Sequence, residues 1–86
     1  MKEYLIKTKS VLDGTQDIYR FDNDYGASVI RHRYSYGGNR GLYELAVIYF
    51  DGDDWSIAYN TPITDDVLGC LRESDVTNTL LEIKKL

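Results

Sequence analysis

The sequence predicts an α+β fold, an antiparallel β-sheet built as a meander of about 4–5 strands and followed by two short C-terminal helices packed on one face. Three observations predict it. The apolar run Leu42 to Phe50 breaks at Asp51-Gly52 and resumes from Asp53 to Tyr59, which marks a hairpin. Pro62 then ends the extended pattern, and the apolar spacing beyond it changes from a strand period to a helix period. At 86 residues the chain, 1–86, is expected to form a single domain, short of the ~100–200 residues typical of one.

Tyr4-Leu5-Ile6 lies between lysines and predicts a short strand with charged ends, where lysines discourage unwanted pairing. The Asp13-Gly14 pair marks a turn within Ser10 to Asp17, and Ile18 to Phe21 is a second short strand ended by Asp22-Asn23-Asp24. Ala27 to Tyr36 is rich in β-branched and aromatic residues, and Gly37-Gly38-Asn39-Arg40-Gly41 is a flexible hairpin loop. Leu42 to Phe50 is apolar at both parities, as a central strand is. Thr64 before Asp65 and Asp66 signals a first helix carrying Val67, Leu68 and Leu71, with a tight turn near Glu73. Ser74-Asp75 signals a second helix, with Val76, Leu80 and Ile83 on one stripe and Lys84 and Lys85 at its end.

A two-residue turn at Asp51-Gly52 sets Phe50 opposite Asp53, Ile48 opposite Trp55 and Ala46 opposite Ile57. One face then carries Ala46, Ile48, Phe50, Trp55 and Ile57. The other carries Tyr43, Leu45, Val47 and Tyr49. Two short helices shield one face, and burying Trp55 with the isoleucines is the more favourable choice at about 1.5–3 kcal/mol per large side chain. On that expectation Tyr43, Leu45, Val47 and Tyr49 stay open. If the glycine loop sets Tyr34 opposite Glu44, Arg31 and Arg33 flank them, while Ile30 and His32 point to the core; a one-residue register change would swap the two sets. The patch is expected to bind a partner or a second copy, unless the N-terminal segment folds over it.

Eight tyrosines suit either a contact surface or an aromatic β core. The net charge of −4 is uneven: residues 1–40 carry seven Lys/Arg against five Asp/Glu, and residues 41–86 carry three against nine. Direct nucleic-acid binding is therefore not expected. An acidic second half that meets a basic partner or mimics nucleic acid stays open. A single cysteine, Cys70, allows no internal disulfide, and no apolar run approaches the ~18 residues of a membrane span, so the expected location is the cytoplasm, with no membrane contact.

Chemistry-bearing patterns are sparse. His32 is the sole histidine, with neither a nucleophile nor ligand spacing around it, so no enzyme activity, metal or cofactor is expected. Asp22, Asp24 and Gly26 fail as a calcium loop, because the twelfth position is Arg33 where a glutamate is needed. Gly37, Gly38 and Gly41 lack the helix and lysine of a phosphate cradle. Cys70 reads as a small core residue on the first helix.

Tyr25-Gly26-Ala27-Ser28-Val29-Ile30-Arg31, Gly41-Leu42-Tyr43-Glu44-Leu45-Ala46-Val47 and Thr61-Pro62-Ile63-Thr64-Asp65-Asp66-Val67-Leu68-Gly69 together resemble a family of small uncharacterised tailed-bacteriophage proteins. The resemblance spans Ile18 to Ile83 and leaves Met1 to Asp17 outside. It implies a phage protein in the host cytoplasm that works by protein–protein binding, as an inhibitor of a host defence enzyme of restriction or CRISPR systems, or of another host enzyme. Two alternatives accompany it: a structural or assembly accessory acting as a homo-oligomer, and a small-ligand or nucleotide-binding sponge using Arg31, Arg33 and Arg40 with stacking tyrosines.

Overall fold

The computed structural model describes all residues from Met1 to Leu86. Six antiparallel strands form one sheet curled into a half-barrel: β1 Leu5–Val11, β2 Gly14–Arg20, β3 Tyr25–Arg31, β4 Tyr43–Asp51, β5 Asp54–Ile57 and β6 Val67–Leu71. The first five follow one another as a meander, and a single helix, α1 Glu73–Lys84, closes the chain. No helix is long and apolar enough to cross a membrane.

The first expected helix is strand β6. Its five residues, VLGCL, hold a Gly and a β-branched Val, and the nine-residue β4 offers more edge than the four-residue β5 can pair. β5 takes Ile48 to Asp51, and β6 takes the remainder, with Tyr43 opposite Leu71 and Ala46 opposite Val67. The backbone groups of β4 left by β5 are thereby satisfied. Thr64 does not cap a helix; its hydroxyl accepts the Asp66 amide in a local turn.

The expected hairpins form with shifted registers. β1 runs through to Val11, opposite Gly14, so the first turn is Leu12-Asp13. The β4–β5 turn is Gly52-Asp53, which pairs Phe50 with Trp55 and Ile48 with Ile57. Ile30, not Tyr34, lies opposite Glu44. Both of these last displacements are by an even number of residues, so side chains keep the facial companions the sequence assigns them.

The covered face, however, is the reverse of the one expected. Val76, Thr79, Leu80 and Ile83 form one stripe on α1, and Val76, Leu80 and Ile83 pack with Ala27, Val29, Leu45 and Val47. Leu45 and Val47 are fully buried, whereas Trp55 and Ile57 remain 40% and 36% exposed on the other face. The reason lies in β3. Opposite β4 it supplies Ala27 and Val29 to the first face but Gly26 and Ser28, with Ile30 only at the strand end opposite Glu44, to the second, so the continuous apolar area beside Leu45 and Val47 is the one α1 buries. The N-terminal segment adds Met1 and Tyr4 to that core, with Tyr4 5.0 Å from the Phe21 ring.

On the uncovered face, Ile18, Ile48 and Phe50 form a second small cluster. A Cβ on Gly26 would lie 1.9 Å from the Tyr19 carbonyl oxygen and 3.1 Å from the Phe50 ring, so only glycine lets the Phe50 side chain settle there. The Arg20 guanidinium sits 4.5 Å from the Phe50 ring centroid, while it donates to the Gly52 carbonyl and pairs with Asp24.

α1 is held at both ends. The Asp75 carboxylate accepts the Arg72 amide ahead of the first turn, and Asn23 Nδ2 lies within 3.1–3.3 Å of the Ile83, Lys84 and Leu86 carbonyls at the other end, the Ile83 carbonyl also accepting the Leu86 amide. Leu80→Ala and Ile83→Ala should each lower unfolding free energy by about 2–5 kcal/mol in urea denaturation, and Asn23→Ala by about 1 kcal/mol. Leu81→Ala, on the exposed side of α1, should change it by about 0.5 kcal/mol or less. A larger loss at Leu81 than at Leu80 would contradict this packing.

Candidate functional site

The sequence-selected surface does not assemble. Leu45 and Val47 lie beneath α1 and present nothing outward, because α1 occupies the face they share with Tyr43 and Tyr49. Tyr43 is half-buried under the Arg31 guanidinium, 4.9 Å from its ring centroid. It borders a cleft of about 310 Å³ between the sheet and the start of α1, together with Asp17, Tyr19 and Glu73. Burial first, then the nearby Asp17 and Tyr43, push the Tyr19 phenol above its ordinary pKa. Tyr49 stands at the far margin, edge-on to Tyr25 at 4.9 Å and 44% exposed.

What the uncovered face presents instead is Trp55 and Ile57 on β5. β5 pairs with β4 on one side and ends the meander on the other, and all four of its residues are exposed. Tyr59 follows at the same alternation and is also exposed. Asp51, Asp53 and Asp54 occupy the adjoining turn, all exposed, so an aromatic-aliphatic patch meets negative charge at one end of β4. Sequence reasoning missed Trp55 and Ile57 as surface because it judged the faces from β4 and β5 alone. The small and polar Gly26, Ser28 and Gln16 on the same face were the available signal.

At the other end of β4 lies the loop from His32 to Leu42. Ser35 organises it: its hydroxyl accepts the His32 amide and donates to the His32 carbonyl. Gly37 has φ +84°, and a Cβ there would press on Cys70 at 2.9 Å, so the glycine meets both a backbone and a space requirement. Cys70 is exposed in β6, contrary to the core position expected of it, with its Sγ 3.1 Å from Arg40 Nη2. Arg33 lies beyond β3 rather than beside the β4 tyrosines, with its guanidinium 5.3 Å from the Tyr34 ring centroid. No group of three or more His, Cys, Asp or Glu side chains gathers where it could hold a metal ion.

No family model matches the chain, and neither the curated proteins nor the solved structures yield a match.

Asp13 braces this loop from the β1–β2 turn, where its carboxylate accepts the Arg33 amide at 3.0 Å. That hydrogen bond holds the carboxyl below its ordinary pKa, against a smaller opposing effect of desolvation. A lowered folded-state pKa means the brace contributes fully above the ordinary aspartate pKa and is lost as pH falls through the lowered value. A carbon-detected NMR titration should give Asp13 a pKa below that of an unstructured aspartate, with the Arg33 amide shifting in the same transition. A normal Asp13 pKa would contradict the brace.

Proposed function

We propose that the chain is a non-catalytic binding protein that works by protein–protein contact through the β5 surface. The observation that carries this reading is the exposure of Trp55 and Ile57 side by side on the sheet face that α1 leaves open. A tryptophan beside an aliphatic residue is the kind of anchor that dominates protein interfaces, since it removes a large apolar area from water at little entropic cost. Asp51, Asp53 and Asp54 beside it favour a partner whose apolar pocket is rimmed by lysine and arginine. The same carboxylates disfavour the pairing of two copies across this edge, because like charges would meet.

The resemblance to tailed-bacteriophage proteins makes a host protein the natural partner, with inhibition of a host defence or other host enzyme as the outcome. Occupying a surface suffices for that, and no catalytic group is required. The host cytoplasm is the compartment this role implies.

The test is capture from host lysate with the wild-type chain and with the Trp55→Ala, Ile57→Ala double variant. The wild type should retain a saturable partner that raised salt weakens, and the Trp55 emission should shift to the blue on binding. The double variant should keep its fold, with stability lowered by roughly 1 kcal/mol, and lose about 30-fold or more in affinity. Undiminished capture by the double variant would overturn the reading.

A further inference from the structure

We propose that the cleft beside β3 and its following loop binds the phosphate groups of a nucleotide, at a site separate from the β5 surface. The cleft has a volume of about 510 Å³ and no apolar lining residue; Asp13, Thr15, Arg31, His32, Arg33 and Asn39 border it. Its size fits a small ligand, and its lining excludes a predominantly apolar one.

The cleft carries a net positive charge, because Arg31 and Arg33 outnumber its one carboxylate, Asp13. Between Asp24 and Glu44 the sequence holds Arg31, Arg33 and Arg40 and no carboxylate. Arg20 and Arg72 each form an ion pair within the chain, but Arg31, Arg33 and Arg40 form none. Two acids beside the loop bind backbone instead of guanidinium: Asp13 accepts the Arg33 amide, and Glu44 accepts the Tyr36 amide at 3.0 Å. These carboxylates therefore shape the loop without ion-pairing: Arg31 and Arg33 lie over the Tyr43 and Tyr34 rings with no carboxylate on their guanidinium forks, whereas Arg40, outside the cleft lining, donates to Cys70 Sγ. Phosphate matches such forks, because its oxygens accept two parallel N–H donors from one guanidinium.

The loop is also ordered before any ligand arrives. Its backbone closes on itself through Ser35 to His32 and Gly38 to Ser35, and His32 Nδ1 accepts the Tyr34 amide. The neutral His32 ring then carries its proton on Nε2, a further donor. A preformed site loses less entropy on binding.

A planar base has a place beside the phosphates. Tyr34 is 75% exposed, with Arg33 over its ring and His32 edge-on at 6.5 Å, and Tyr36 is 66% exposed. Tyr34, outside the cleft lining but next in the chain to Arg33, leaves the ring face away from Arg33 for a base while Arg33 meets the phosphates, which distinguishes a nucleotide from inorganic phosphate.

The proposal is tested by nitrogen–proton NMR titration of the whole chain with ATP and, separately, with inorganic pyrophosphate. Saturable shifts centred on the amides of Arg33, Tyr34, Gly38 and Asn39 are expected with both. Arg33→Gln, at an exposed loop position, should weaken both ligands roughly tenfold with an unchanged melting temperature. Tyr34→Ala should weaken ATP several-fold and leave pyrophosphate unaffected. Arg31→Gln should act like Arg33→Gln, with its melting curve read alongside because Arg31 also covers Tyr43. Absent shifts at millimolar ATP, shifts spread equally over Lys7 and Lys9, or undiminished binding by Arg33→Gln would overturn the assignment. Pyrophosphate binding with no gain from the base would overturn the nucleotide and leave a simple anion site. Loss of this binding with β5 contacts intact, or the reverse, separates the two surfaces.

Discussion

The packing of α1 against Ala27, Val29, Leu45 and Val47 is the constraint on which the remaining structure depends. A domain this small has one helix with which to cover a sheet, and its stability margin is correspondingly narrow. Leu80 and Ile83 are almost wholly removed from water by that contact, and each contributes on the order of 1.5–3 kcal/mol. Once α1 is seated there, the opposite face has no helix to shield it. Ile18, Ile48 and Phe50 stay dry by clustering with one another and with Arg20 over Phe50, but Trp55 and Ile57 sit too near the sheet edge to be enclosed.

Much of this was legible in the sequence. The Asp51-Gly52 signal located the β4–β5 hairpin, the Asp13-Gly14 pair located the first turn, and the spacing of Val76, Leu80 and Ile83 gave the buried stripe of α1. Facial alternation survived the register changes because those changes preserved parity. The two failures share a physical origin, since each needed information from a strand distant in sequence. Val67 to Leu71 is too short for its period to separate helix from strand, and the vacant edge of β4 decides in favour of a strand. The choice of covered face depends on what β3 adds beside β4, and Gly26 and Ser28 make the Trp55 side the less apolar one.

The uneven charge of the sequence becomes an uneven charge along β4. The arginine-bearing loop precedes Tyr43, and the aspartate-bearing turn follows Asp51, so the two lie roughly 25 Å apart at ~3.3 Å per residue. Each end combines charge with exposed aromatic groups, of opposite sign at the two ends: Tyr34 and Tyr36 with arginines, Trp55 beside aspartates. Both ends hang on the same rigid central strand, whose interior residues Leu45 to Ile48 are buried. Contacts at either end would therefore be presented by a scaffold that does not have to reorganise to form them.

The orientation of α1 is read most directly from methyl NMR. Nuclear Overhauser contacts from the methyl groups of Leu80 and Ile83 should reach those of Leu45 and Val47, and none should reach the Trp55 indole or the Ile57 methyls. Contacts from α1 to Trp55 or Ile57, with Leu45 and Val47 left without them, would place the helix on the other face and contradict the account.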